Sequence, residues 1–368
     1  MTFYTGSAGI LARKAQLEPM LGHPLHAFKT NTELAQDDVL VGWGQKANTR
    51  QIRQKAHDLG LPYWQLEDGF IGYIGHPARG GKAVSLIADP VGIYYDARQP
   101  SRLEELIATP CDDSMLARAE TLTAELLRLG ITKYNCYTAD SGLPDTLTAR
   151  LHSDPRPKVL LIDQVAGDLS IPGALASEED FVAMVAAARR NHPDARLLLR
   201  THPDTRLGKK SGVLARLALD DVEVVAEHCH PHALLNSVEA VYTVSSKMGF
   251  EALLLGKAVH CFGMPFYAGW GLTHDSKTCP RRQGPIALPQ LVAAALILYP
   301  RYLDPILGQR CEVEQVLDII AGQQSPAPRY RRLYMVGFSL WKRAFMRAFC
   351  QPLAEELRLR WFDDADPT

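Results

Sequence analysis

Between residues 158 and 262, short runs that are almost wholly apolar alternate with segments of helical spacing. Val159-Leu160-Leu161-Ile162 opens the series. A helix is expected over 178–190, where Ser177-Glu178-Glu179-Asp180 sets acids at the N-terminal end and suits the helix dipole. Strands at 196–200 and 222–225 follow, then a helix at 231–236, a strand at 239–244, a helix at 247–255 closed by Gly256, and a strand at 259–262. Runs that are apolar on both faces read as buried parallel strands, because helices cover both sides of such a sheet. The alternation therefore predicts an α/β fold with a parallel sheet and right-handed crossovers. In such folds ligands bind just beyond the carboxyl ends of the strands.

Residues 1–153 read as a first Rossmann-like unit. A strand runs from Asp38 into the loop at Gly44, a helix covers 49–59 with Gly60 as its C-cap, a strand at 62–66 ends at Glu67-Asp68-Gly69, and a helix covers 114–129. Ser153-Asp154-Pro155-Arg156-Pro157 breaks regular structure and serves as the linker to the second unit, 158–285. Residues 286–368 are expected to be helical. Within them, 329–350 carries six basic residues, no acids, and aromatic residues at three- and four-residue steps from Tyr330 to Phe349. This predicts either an interfacial helix touching the inner membrane or a stripe packed on the body of the protein.

The chain of 368 residues favours two domains over one. A net charge of −1 supplies no field that would gather nucleic acid. Seven cysteines without a C-x-x-C pair suggest reduced thiols and a cytoplasmic location. The start of the chain lacks the pattern of a signal peptide, and no apolar run reaches the ~18 residues that span a bilayer.

Four polar clusters fall at strand ends or helix starts: Glu67-Asp68, Gln164 to Ser170 including Asp168, His202-Pro203, and Ser245-Ser246 ahead of Glu251. Two carboxylate clusters on different halves meet the requirement of a glycosyl transfer that proceeds by double displacement. Each also has a plain structural reading: Asp168 as an Asx cap, Asp68-Gly69 as a turn, Ser246 as an N-cap. His228-Cys229-His230-Pro231-His232 matches no closed zinc pattern. Nothing in the sequence calls for a metal or a cofactor.

Several stretches resemble the capsule-assembly β-Kdo transferases of the KpsC type. They include Gly42-Trp43-Gly44-Gln45-Lys46, Leu66-Glu67-Asp68-Gly69-Phe70, Gly92-Ile93-Tyr94-Tyr95-Asp96-Ala97, Asp163-Gln164 with Gly167-Asp168, His202-Pro203-Asp204, Gly249-Phe250-Glu251-Ala252-Leu253, and Pro265 to Thr273. The Glu-Asp-Gly and His-Pro pairs are also similar to those of bacterial sialyltransferases. The resemblance implies a GT-B-like fold of two Rossmann-like domains facing a cleft. It implies CMP-β-Kdo as donor, a Kdo-terminated glycolipid or oligosaccharide as acceptor, and other capsule-assembly proteins as partners. It also implies retention through a covalent Kdo-enzyme intermediate. Carried onto this chain, the nucleophile falls on Asp168 and the acid/base on the Glu67-Asp68 pair, with Glu67 favoured. Gln164, His202, Pro203, Ser245 and Ser246 are assigned to the donor, Glu251 to the ribose, and Lys133 and Lys210 to anion contacts. The family usually carries two related modules, whereas this chain holds one, and the segment Gly72 to Lys82 departs from the family pattern. Two alternatives stay open: an inverting CMP-sugar transferase with Asp68 as base, and a non-catalytic glycan-binding module that docks capsule proteins.

Overall fold

The computed structural model describes residues 1–77, 80–137, 141–201, 211–217, 219–324, 333–336, 339, 341–342 and 359–362. Met1–Asp318 forms one compact unit and Ile319–Thr368 a second.

The strands in chain order are β1 (Phe3–Thr5), β2 (Leu25–Ala27), β3 (Val39–Trp43), β4 (Tyr63–Asp68), β5 (Tyr73–Ile74), β6 (Lys82–Ala83), β7 (Ser85–Asp89), β8 (Tyr134–Asn135), β9 (Lys158–Ile162), β10 (Arg196–Arg200), β11 (Val222–Val225), β12 (Ala240–Thr243), β13 (Ala258–Cys261), β14 (His274–Asp275), β15 (Arg301–Asp304), β16 (Gln309–Cys311), β17 (Leu333–Val336) and β18 (Leu359–Phe362).

The second half folds as its pattern predicts. Its six-stranded sheet has the order β11-β10-β9-β12-β13-β14, and every pair in it is parallel. Renumbered from β9, that is 3-2-1-4-5-6, the doubly wound order whose strand sequence reverses between the first and fourth strands. Val159, Leu161, Leu197, Leu199 and Tyr242 meet Phe181, Met184 and Val185 of the helix Glu178–Asn191 in one buried core. That helix starts with a capping box, in which the Ser177 side chain accepts the Asp180 backbone N–H and the Asp180 carboxylate accepts the Ser177 N–H.

The first half forms a seven-stranded mixed sheet, β16-β15-β7-β4-β3-β1-β2. β2, β1, β3 and β4 are parallel, and β7, β15 and β16 add antiparallel strands. Phe3, Leu17, Met20, Val39, Val41, Leu66 and Leu86 build its core, and Leu303 of β15 joins them. The reading of 286–368 as wholly helical is thus corrected. β15 and β16 return to the first sheet, because the short run Arg301-Tyr302-Leu303-Asp304 can bury Leu303 only by pairing with β7. A continuous helix over 329–350 is excluded as well, since Leu333–Val336 is a strand paired in parallel with Leu359–Phe362. Tyr and Val in that run favour the extended backbone. Trp341 and Lys342 are exposed, and the rest of 337–350 except residue 339 lies outside the described residues.

Among the contacts that join the two halves are the following. Phe70, on the loop after β4, is buried against Phe266 at 4.7 Å and Tyr94 at 4.9 Å between ring centres. Glu104 receives Arg281 at 2.6 Å and Arg282 at 3.2 Å. The Ala97 N–H donates to the Gly173 carbonyl at 2.8 Å. The loop after β4 is thereby packed on the segment after β13, and the segment after β7 on the one after β9.

Candidate active site

β4 runs two residues further than its sequence suggests, so Glu67 and Asp68 lie in the strand rather than after it. Trp43 at the end of β3 donates its indole N–H to Glu67 Oε1 at 3.2 Å, and the Asp68 N–H donates to the same oxygen at 3.1 Å. Burial raises the Glu67 carboxyl above its usual range; the Lys133 charge opposes that rise and the Asp68 charge adds to it. Asp68 is engaged differently. Tyr73 donates its hydroxyl to Oδ1 at 2.7 Å, and Arg13, stacked over the Trp43 ring, stands 3.7 Å from the same atom. Two neighbouring acids therefore have distinct environments. Asp68 is held by a phenol and a guanidinium, whereas Glu67 takes donors that leave its basicity high.

At the strand-order reversal of the second sheet, the ends of β9 and β12 meet. Gln164 Nε2 donates to Ser245 Oγ at 2.9 Å, and the Ser245 N–H donates back to Gln164 Oε1 at 2.8 Å. Ser170 Oγ lies 3.2 Å from Ser245 Oγ. The neighbouring Asp163 is structural: it is buried and accepts N–H bonds from Gln164, Leu214 and Ala215, which anchors the segment 211–216. Ser246 Oγ accepts the Met248 N–H at 3.3 Å, a local turn contact ahead of the helix Met248–Leu254, whose N-cap residue is Lys247 and not a serine.

Asp168 is exposed, and its Oδ1 accepts the Ser170 N–H at 2.9 Å. The Asx turn is present, and the short helix it opens touches the first half of the chain through the Gly173 carbonyl. After burial, the Glu67 charge pushes the Tyr95 phenol upward, and the Asp168 charge acts on it too. Tyr95 accepts the Gln45 N–H at 3.0 Å. Glu67 Oε2 and the Tyr95 hydroxyl flank the same point beside Gly44, and the backbone past Tyr95 bonds the short helix after Asp168 through the Ala97 N–H and the Gly173 carbonyl.

Lys133 falls in the same group through its attraction to Asp68 and Glu67. Glu251 is buried and stands 3.6 Å from Lys247 Nζ. Sequence reasoning missed Lys247, which donates to the Phe70 carbonyl across the domain junction, and gave no role to Tyr95. Only the position of Lys247 next to Ser246 could have drawn attention to it. His202, Pro203 and Lys210 lie outside the described residues. The His228–His232 stretch serves packing at His230: its Nε2 bonds the Gly130 carbonyl at 2.9 Å and its Nδ1 accepts the His232 N–H at 3.0 Å.

A sequence model of the capsule polysaccharide biosynthesis protein family matches residues 38–127 and 115–302, most of both sheets. The chain belongs to this family. It is 37% identical over 353 residues to the capsule polysaccharide modification protein LipA of Neisseria meningitidis serogroup B, covering 93% of this chain and 50% of that protein. The chain therefore spans about half the length of the curated relatives it matches. Among solved structures, the β-Kdo 2,4 transferase of Thermosulfurimonas dismutans KpsC superposes with a TM-score of 0.80 at 39% identity, covering 88% of this chain and 98% of that one. The β-Kdo 2,7 transferase of the same KpsC superposes at 0.65 with 28% identity, covering 88% and 100%. The architecture is GT-B-like, with one mixed and one doubly wound parallel sheet. Among the described residues, no helix is long and apolar enough to cross a membrane.

Proposed function

We propose that the chain transfers Kdo from CMP-β-Kdo to a Kdo-terminated capsule glycan, with retention of configuration. The reading is carried by one arrangement: Glu67 and the Tyr95 hydroxyl flank Gly44 on the first sheet's side, and the backbone just past Tyr95 bonds the short helix that Asp168 opens, the Ala97 N–H donating to the Gly173 carbonyl at 2.8 Å. The family relationship and the two KpsC transferases support the choice of sugar.

In the first step the Asp168 carboxylate attacks the anomeric carbon. The bond from that carbon to the phosphate oxygen breaks, and CMP leaves with the electron pair. In the second step Glu67 takes the proton of the acceptor hydroxyl, whose oxygen attacks the same carbon and expels Asp168. Two inversions give net retention. A carboxyl raised by burial suits the base role, because its basicity lies closer to the working pH. The Gln164–Ser245 pair would present its polar atoms to the CMP phosphate at the strand-order reversal. Ser246, His202, Pro203 and Lys210 are assigned to the same donor end, Glu251 to the ribose, and Lys133 to an anionic group of the sugar.

The test is CMP release and intact mass on CMP-Kdo. Asp168→Ala should lose transfer, and slow variants of Glu67 should accumulate a Kdo adduct on the protein. An Asp168→Ala chain that still transfers Kdo would refute the assignment.

A further inference from the structure

The loop that follows the first sheet's acids has a lysine on each flank. On one side, Lys247 donates to the Phe70 carbonyl. On the other, the Lys133 carbonyl accepts the N–H groups of Gly72 and Tyr73, and its Cγ lies 3.4 Å from where a Cβ on Gly72 would stand. The two lysines thus bracket residues 70–73 from both sides; burial pushes the Lys247 pKa down to about 8, and the Lys133 charge adds to that fall. Glu251, 3.6 Å away, offsets part of this through its charge and a long hydrogen bond. An ammonium carries three donors, and the Phe70 carbonyl takes one. Lys247 also keeps 23% of its side-chain surface accessible, so it lies deep without being sealed. Two like charges at that depth gain from an anion placed between them.

We propose that Lys247 and Lys133 form an anion clamp that binds the carboxylate of the transferred acidic sugar, and that Lys247 sets the preference for an acid over a neutral sugar. The proposal rests on the donor assignment above. The charge balance favours the sugar carboxylate over the phosphate. A 2-keto sugar acid bears its carboxylate on the reacting carbon, so it must approach Glu67, Asp68 and Asp168, which all repel it. The clamp flanks the loop immediately after Glu67 and Asp68, whereas the Gln164–Ser245 pair marks the phosphate end.

The test uses the full chain and four ligands: free Kdo, its uncharged methyl ester, CMP and CMP-Kdo. Lys247→Met is compared with Lys247→Met/Glu251→Gln, which leaves no stranded carboxylate, and with Lys247→Arg. Thermal melts establish that each variant is folded. Loss of a charge-assisted contact should weaken free Kdo binding about tenfold or more in both Met variants. CMP binding by Lys247→Met, which keeps the ribose contact assigned to Glu251, should stay within about twofold, Lys247→Arg should recover part of the loss, and the methyl ester should bind wild type as weakly as Kdo binds the variants. An equal loss of CMP affinity would assign the clamp to phosphate and overturn the proposal. Unchanged Kdo binding in a folded variant, or no Kdo binding by wild type, would overturn it too. If wild type binds Kdo but does not cleave CMP-Kdo, the transfer reading fails and the clamp stands.

Discussion

Gly173 tests whether the two carboxylates converge as described. A Cβ at this position would lie 2.4 Å from the Tyr95 carbonyl oxygen and 3.3 Å from its carbonyl carbon. Gly173 also accepts the Ala97 N–H at 2.8 Å, so backbone meets backbone and no side chain can swing aside. Reaching ordinary contact at 3.4 Å from 2.4 Å requires a retreat of about 1 Å. The turn that would retreat is the one that bears Asp168, whose Oδ1 holds the Ser170 N–H at the start of the same short helix. Gly173→Ala therefore draws Asp168 away from Tyr95 and Glu67. A misplacement of about 1 Å can lower turnover about a hundredfold. Overpacking should also cost about 1–3 kcal/mol, or a few degrees in Tm. Initial rates of CMP release from CMP-Kdo, CMP inhibition and thermal melts read the three consequences. Turnover should fall while CMP inhibition holds. Gly142→Ala, whose Cβ meets nothing within 4 Å, is the control and should behave as wild type. If Gly173→Ala melts lower yet turns over at the wild-type rate, the convergence argument is wrong.

Two further outcomes follow from the site and the junction. Glu67 is raised by burial, so the folded chain holds that proton more tightly than the unfolded chain does. Its stabilising contribution is then present at low pH and is lost as pH rises from the ordinary carboxylate range through the raised value. Glu67→Gln mimics the protonated form, so it should melt above wild type at pH 8, match it near pH 4, and lack transfer activity; a lower melt at pH 8 would contradict the burial argument. Glu104→Ala leaves the buried Arg282 without its carboxylate, although Pro265 and Ala268 carbonyls still accept its N–H groups. Denaturant unfolding should show a loss of about 3–5 kcal/mol, and a loss below about 1 kcal/mol would show that those carbonyls suffice.

Much of the second sheet was legible because its strands are buried on both faces. The expected strands at 196–200 and 222–225 and the helix at 231–236 coincide with the observed ones, and 239–244 and 259–262 shift by a residue or two. Local signals sufficed there, since an apolar run, a cap and a glycine stop act within a few residues. The return of β15 and β16 to the first sheet was not legible, because it depends on Leu303 reaching a core built from residues near 3, 39 and 86. The same holds inside the site. Gln164 and Ser245 were each picked from strand ends, yet their mutual hydrogen bonds exist only because the strand order puts β9 beside β12. Lys247 looks in sequence like the first residue of a helix, and it matters because it reaches Phe70, 177 positions away. Asp168 shows that the structural and chemical readings can both apply to one residue: it caps Ser170 and stands at the junction with Tyr95.

The measurement that bears most directly on the account is the anomeric configuration of the product. CMP-β-Kdo and a Kdo-terminated acceptor are incubated with the chain, and the new linkage is read by NMR before any rearrangement. Double displacement through Asp168 predicts a β-linked Kdo. An α-linked product would mean a single displacement, would give the base role to Asp68, and would leave Asp168 as the cap of a short helix.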